Sequence, residues 1–233
     1  MAKSKIEKQE KETAEMTHVN VDVLANHYQK TFEVAYENWK ERNRLFVFLV
    51  ITAGLGLLLI LRVPEANSLL VDFIAKFLGI DDPLRKSQLY TTFPFDIVLS
   101  MILVVMFYLM QRLYSTNLSV MRHYLYLGAV EKEIRDNLNL PPGSISFTRE
   151  GKYYWDRRMV MQTASKWYYI FVLFVILIPF IILKLQADWL SQNWLIILVD
   201  LTVSLMIFLY WAEYAYSAFK LDVRKMPVEQ LKK

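Results

Sequence analysis

The stretch WYYIFVLFVILIPFIILKLQADWLSQNWLIILVDLTVSLMIFLYWA, residues 167–212, decides the fold. It holds two apolar runs, 167–185 and 194–212, joined by the short polar link 186–193. Each run as a helix rises about 28 Å at roughly 1.5 Å per residue, close to the roughly 30 Å of a bilayer's hydrocarbon core. Lipid offers the backbone no hydrogen bonds, so a run of this kind crosses as a helix that satisfies its own amides. The two runs therefore read as a transmembrane hairpin.

Three residues interrupt its apolar character. Asp200 lies inside the start of the second run, about 9 Å along the axis from Trp194. An ionised carboxylate at that depth costs about 3 kcal/mol or more unless it is paired, hydrated or protonated. Pro179 stands at about the same level on the first run and leaves the Val175 carbonyl without its helical donor. Lys184 lies nearer the hairpin's end. A protonated Asp200 can donate to a polar group such as the Val175 carbonyl, or an ionised one can reach toward Lys184. Copies of Asp200 lining a cation path in an oligomer are the functional alternative.

Working outward, residues 45–61 and 95–113 are two further apolar runs. Thr52, Ala53, Gly54 and Gly56 in the first admit close approach of another helix, read here as packing within the chain. Between the runs, residues 66–80 form an amphipathic helix. Leu69, Leu70, Phe73, Ile74, Phe77 and Leu78 share one face, which suits a helix lying in the outer membrane interface. Asp81-Asp82-Pro83 reads as its end. Pro94 then opens the second span, with Asp96 placed against the positive end of the helix dipole. Residues 45–113 thus make the first transmembrane pair.

No breaker follows that span. Val120, Tyr124, Leu127, Val130, Ile134 and Leu138 continue at helical spacing, and helix over 95–138 would extend about 66 Å, twice the hydrocarbon thickness. Part of it must project into water. A matching stripe, Val21, Leu24, Tyr28, Phe32, Ala35 and Trp39, marks a helix over 18–44. The two stripes need burial, against each other or against another subunit. The charged residues 1–17 read as a disordered tail. Residues 114–166 form a helical module in which Pro141-Pro142-Gly143 stops the helix, with one short extended segment at Ile145 and Phe147. Residues 213–233 read as a C-terminal helix and tail.

The 27 Lys and Arg residues divide unevenly. Eight precede the first run, nine lie over 112–166 and five follow the last run, which makes 22 on one side of the membrane; four lie over 62–93 and Lys184 stands alone on the other. Cationic loops stay in the cytosol, so the rule places both termini and the 114–166 module inside an inner membrane. Trp189 and Trp194 then mark the outer interface, and Tyr114, Trp167, Tyr168, Tyr210 and Trp211 the inner one. The expected fold class is all-α: a polytopic membrane protein of four transmembrane helices with cytosolic helical extensions.

Composition limits the chemistry. A chain of 233 residues that is 55% apolar and lacks cysteine has no disulfide, no thiolate nucleophile and no cysteine-based zinc site. His18, His27 and His123 lack ligand spacing, and neither a glycine-rich phosphate loop nor an HExxH sequence is present. No catalytic residue, metal or cofactor is assigned. Asp136 with Glu150-x-Lys152 has the residue types of a magnesium nuclease, but such sites need strands to aim the groups and Asp136 is predicted on a helix. The conspicuous surface is Arg149, Glu150, Lys152, Tyr153, Tyr154, Trp155, Arg157 and Arg158. Cations beside aromatic rings suit anionic lipid headgroups just inside the bilayer; they also suit a protein partner, or nucleic acid or a nucleotide.

Phe147-Thr-Arg-Glu-Gly-Lys-Tyr153, with Leu127-Gly-Ala-Val-Glu-Lys-Glu-Ile134 before it, resembles small multi-span membrane proteins of bacterial antiviral defence operons. The resemblance covers the architecture and a short part of the chain, and carries no active site with it. It implies a membrane-disrupting effector or a membrane-bound sensor that works with a cytosolic partner. The expectation from the residues and the resemblance together is a non-enzymatic inner-membrane effector or sensor. It would oligomerise with its own copies and engage a cytosolic protein through 114–166. The alternative is an ion channel or transporter subunit with Asp200 on its conduction path.

Overall fold

The computed structural model describes residues 2–61, 63–141, 144, 146, 147 and 160–220. Among them the regular structure is helical throughout. In chain order the helices are α1 (Ala2–Ile60), α2 (Pro64–Phe77), α3 (Pro83–Thr92), α4 (Phe95–Asn137), α5 (Val160–Ser191) and α6 (Trp194–Lys220). Four segments are long and apolar enough to cross a membrane: Val21–Ile60, Phe95–Asn137, Trp167–Ser191 and Trp194–Ala218. The chain is thus an all-α protein with four candidate membrane spans. It divides into two compact units. One is Met1–Arg42, Ser115–Ser165 and Ala218–Lys233; the other is Asn43–Tyr114 and Lys166–Ser217.

The second unit contains the apolar parts of all four long helices. Its core is Leu45, Leu49 and Ala53 from α1, Leu99, Leu103, Met106, Met110 and Leu113 from α4, Leu173, Leu177 and Phe180 from α5, and Ile207 from α6. Many apolar side chains point outward instead, among them Phe171, Ile182, Leu195, Leu198 and Leu205. Helices in lipid have no reason to hide such groups, because lipid tails are as apolar as leucine. Gly56 marks a close approach of neighbouring side chains to α1. A Cβ there would lie 2.5 Å from the ring of Phe180 and 3.2 Å from Ile102, whereas one on Gly54 would meet nothing within 4 Å. The small-residue stripe on α1 therefore serves packing within the chain at Gly56 and the fully buried Ala53.

The link between the first two spans holds two helices. α2 stops at Gly79, whose φ of +69° is the left-handed conformation. The Ile80 amide reaches back to the Ala75 carbonyl at 2.8 Å and the Gly79 amide to Lys76 at 3.2 Å, the paired bonds of a Schellman cap. Asp81-Asp82-Pro83 is thus a helix start, not the stop expected from the sequence. Asp82 accepts from the Leu84 amide at 3.0 Å and Pro83 takes the first helical position, the favoured arrangement for both residue types. α2 turns Leu69, Phe73 and Phe77 outward, with Phe77 82% exposed, and buries Asn67, Val71 and Ala75. Its apolar stripe faces the surroundings, as an interface-lying helix requires.

In the first unit the two stripes meet. Val21, Val130 and Ile134 form a buried cluster, with Leu24, Tyr28, Leu138 and Phe147 packed against it. Polar pairs align the helices: Tyr28 Oη donates to Glu131 Oε1 at 2.9 Å, and Asn38 Nδ2 to Ser119 Oγ at 3.3 Å. His27 Nε2 and Tyr126 Oη are 2.8 Å apart. α4 ends before Pro141-Pro142-Gly143. Asn139 adopts φ +49°, with the Leu140 amide bonded to the Arg135 carbonyl at 3.1 Å and that of Asn139 to Asp136 at 3.2 Å. This is a second Schellman cap, with asparagine in glycine's usual place. The Arg135 guanidinium then donates to the Ser144 and Ser146 carbonyls at 2.8 and 2.7 Å. Phe147, at φ +51°, sits in a turn; the expected extended segment is replaced there, and Ile145 lies outside the described residues. α1 begins at Ala2, so helix occupies the stretch read as a disordered tail. The segment lacks Gly and Pro and is rich in Lys and Glu, both good helix formers.

The Gly56 contact yields a test. Gly56→Val should lower the thermal midpoint of the purified protein in detergent, consistent with about 1–3 kcal/mol for overpacking a filled core. Gly54→Val at the open position should leave the midpoint within experimental scatter.

Candidate functional site: a buried charge cluster

Three helices of the membrane-spanning unit bring four polar side chains together. Lys184 and Asp188 come from α5, Asp200 from α6 and Ser100 from α4. Lys184 Nζ donates to Asp188 Oδ1 and, at 2.6 Å, to Asp200 Oδ2. Ser100 Oγ lies 2.6 Å from the same Asp200 oxygen and 3.0 Å from the Asp96 carbonyl one turn back. Its single proton is drawn to the carboxylate, the stronger acceptor. Both salt bridges join side chains that are 0% exposed.

Local sequence explains how the helices supply these groups. α5 runs through Pro179 to Ser191, so Asp188 lies one turn beyond Lys184 on the same face, where residues four apart meet. The connection to α6 is only Gln192 and Asn193. Gln192 takes φ +54°, and Asn193 begins α6 by accepting the Ile197 amide at its backbone carbonyl, 3.0 Å away. Such a tight reversal sets the last turns of α5 against the first turns of α6, which brings Lys184 to Asp200. Trp189 and Trp194 meet edge to face at that end, with centroids 5.7 Å apart. Toward the other end, Tyr210 contacts Tyr114 and Phe107, while Trp211 contacts Phe174.

Of the residues singled out in the sequence, Asp200 and Lys184 are joined directly, in the ionic one of the two arrangements considered for Asp200. Pro179 lies in the same helix but contributes no group to the cluster. Asp188 and Ser100 were not anticipated. Asp188 fell in the expected loop because that loop was drawn from 186 to 193; its signal was the four-residue spacing from Lys184. Nothing local marks Ser100, which comes from a helix distant in sequence. Asp96 is exposed in the first turn of α4.

Arg149, Glu150, Lys152, Tyr153, Tyr154, Trp155, Arg157 and Arg158 lie outside the described residues. Asp136 is on α4, while Glu150 and Lys152, its companions in a nuclease reading, are outside them as well. Among the described residues no group of three His, Asp or Glu side chains is placed to hold a metal ion. His123 Nδ1 is instead 2.7 Å from the Ser119 carbonyl, to which it must donate.

The cluster's chemistry is that of buried charges held against one another, one ammonium between two carboxyl groups. A carboxylate and an ammonium sealed from water are each costly alone, and removing one partner of such a pair costs about 3–5 kcal/mol. Lys184→Met should therefore sharply lower the detergent melting temperature at neutral pH. Adding Asp188→Leu and Asp200→Leu should recover most of the loss, since an apolar replacement of the whole cluster leaves no charge behind.

Comparison of the chain with protein-family models, with curated proteins and with solved structures finds no match.

Proposed function

We propose that this protein is an integral inner-membrane effector or sensor, non-enzymatic, with both termini and the 114–166 module in the cytosol. In this reading it assembles with its own copies and engages a cytosolic protein partner through that module. The setting is antiviral defence, as the resemblance of residues 127–134 and 147–153 implies.

The observation that carries the reading is the surface of the first unit. Its helices pair through Tyr28–Glu131 and the Val21, Val130 and Ile134 cluster, yet Val23, Val34, Tyr36 and Tyr126 remain exposed. Phe32, Tyr36 and Trp39 stack along α1, with centroids 6.4 and 5.9 Å apart, and Lys40 Nζ caps the Tyr36 ring at 4.4 Å. Lipid would tolerate these side chains, but the charge distribution assigns this part of the chain to water. Apolar side chains clustered there support contact with another protein. In sequence, the basic and aromatic residues 149–158 belong to the 114–166 module.

The detergent-solubilised protein should have a mass of more than one chain or carry a stoichiometric partner. Val23→Glu combined with Val34→Glu should abolish that association without lowering the melting temperature, because both side chains are exposed. A monomer without a partner, from membranes prepared gently, sinks the assembly reading. Phage plating unchanged on deletion of the protein removes the defence setting alone.

The second reading, a channel or transporter subunit, draws on Asp200. Its carboxylate already holds the Lys184 ammonium at 2.6 Å, where a passing cation would have to bind, and this favours the first reading. Ion flux through vesicles containing Asp200→Asn should equal that of the unaltered protein; a lost flux would restore the conducting reading.

A further inference from the structure

The cluster does not balance. Lys184 brings one positive charge to two carboxylates, so with all three ionised the site carries one net negative charge among side chains that are 0% exposed. An uncompensated ion in such surroundings is what burial penalises most. The groups that reach the cluster are Ser100 from α4, Lys184 and Asp188 from α5 and Asp200 from α6. Among the described residues none but Lys184 brings a positive charge there, and Asp96, one turn from Ser100, is exposed.

A second observation is independent of the charge count. Among the described residues no group donates a hydrogen bond to the buried Asp188 Oδ2 or Asp200 Oδ1, or to the hydroxyl of Ser204, which is 4% exposed and one turn from Asp200 along α6. Two sealed carboxylate oxygens thus lack a donor on the two acids that share one ammonium. One added proton answers both deficits: it cancels the excess charge and turns an acceptor into a donor.

We propose that the cluster is a binding site for a single proton, held at neutral pH by the Asp188–Asp200 pair beside Lys184. The proton rests on Asp188. Asp200 Oδ2 already accepts from two donors, Lys184 and Ser100, whereas Asp188 has Lys184 alone. Uptake is simple protonation of a carboxylate from the aqueous phase, with no bond other than O–H made. A metal cation in the same place would sit against the Lys184 ammonium, whereas a proton on Asp188 leaves a neutral carboxyl there. The site does not depend on the proposed effector or sensor role.

Infrared difference spectroscopy of the protein in lipid vesicles reads the proton directly. At neutral pH a carbonyl band of a protonated, non-aqueous carboxyl should be present and should shift in deuterium oxide. It should disappear in Asp188→Asn, and also in Asp200→Asn, where the remaining acid pairs ionised with Lys184. Exposed Asp96→Asn should leave it unchanged. Asp188→Asn should keep the thermal midpoint of the unaltered protein at neutral pH and serves as the folding control. Absence of the band from the unaltered protein at neutral pH overturns the proposal, as does its survival in Asp188→Asn. A band seen only when sodium is replaced by a bulky organic cation overturns it in favour of a metal cation at the same oxygens.

Discussion

A carboxylate sealed from water must find its counter-charge inside the protein, and Asp200 finds it in Lys184. This requirement disciplines the membrane-spanning unit more than any apolar contact does. Leucine and valine pack about equally well against a neighbouring helix or against lipid, so they discriminate weakly between arrangements. Any register of α5 against α6 that separated Lys184 from Asp200 would break the ion pair that crosses between the helices and leave the Asp200 carboxylate alone among apolar side chains. Ser100 extends the same discipline to α4. A buried ion pair contributes little net stability over an apolar replacement; what it contributes here is the penalty on every wrong alignment.

Outside the apolar segments the helices pair through narrower stripes. α4 is apolar nearly all round near Leu103 and Met106, then narrows to the stripe of Val130 and Ile134 further along, which Val21, Leu24 and Tyr28 of α1 cover. Hydrogen bonds such as Tyr28 to Glu131 add direction to an otherwise slippery contact. Glu131 is itself almost wholly buried, so its partners set which turn of α1 faces which turn of α4.

The ends of helices explain most differences between the sequence-based expectation and the structure. Prolines drew the eye as terminators, but the chain stops α2 at Gly79 and α4 at Asn139, each in a left-handed conformation that frees the last amides to bond backwards. Proline follows such caps because it cannot continue the helix. Asp82-Pro83 shows the opposite case: an acceptor side chain followed by proline begins a helix, and reading the pair as an ending hid α3. At the hairpin, drawing the end of α5 six residues early placed Asp188 in a loop and removed the third charge from view.

Length and hydropathy alone determine that this is an all-α chain with four candidate spans, because lipid gives a backbone no partner but itself and only a helix meets that demand within one segment. They also mark Asp200 as a residue in need of an explanation, and the pairing of the 21–39 and 120–138 stripes as one way to bury both. Tertiary structure alone decided how Asp200 is answered. Lys184 and Asp188 meet through one turn of α5, Asp200 joins them through a two-residue reversal, and Ser100 arrives from a helix whose sequence contains no hint of the others. Hydrophobic period is a local property that a single chain displays openly, whereas the meeting of charges in a medium without water depends on every helix end being placed first.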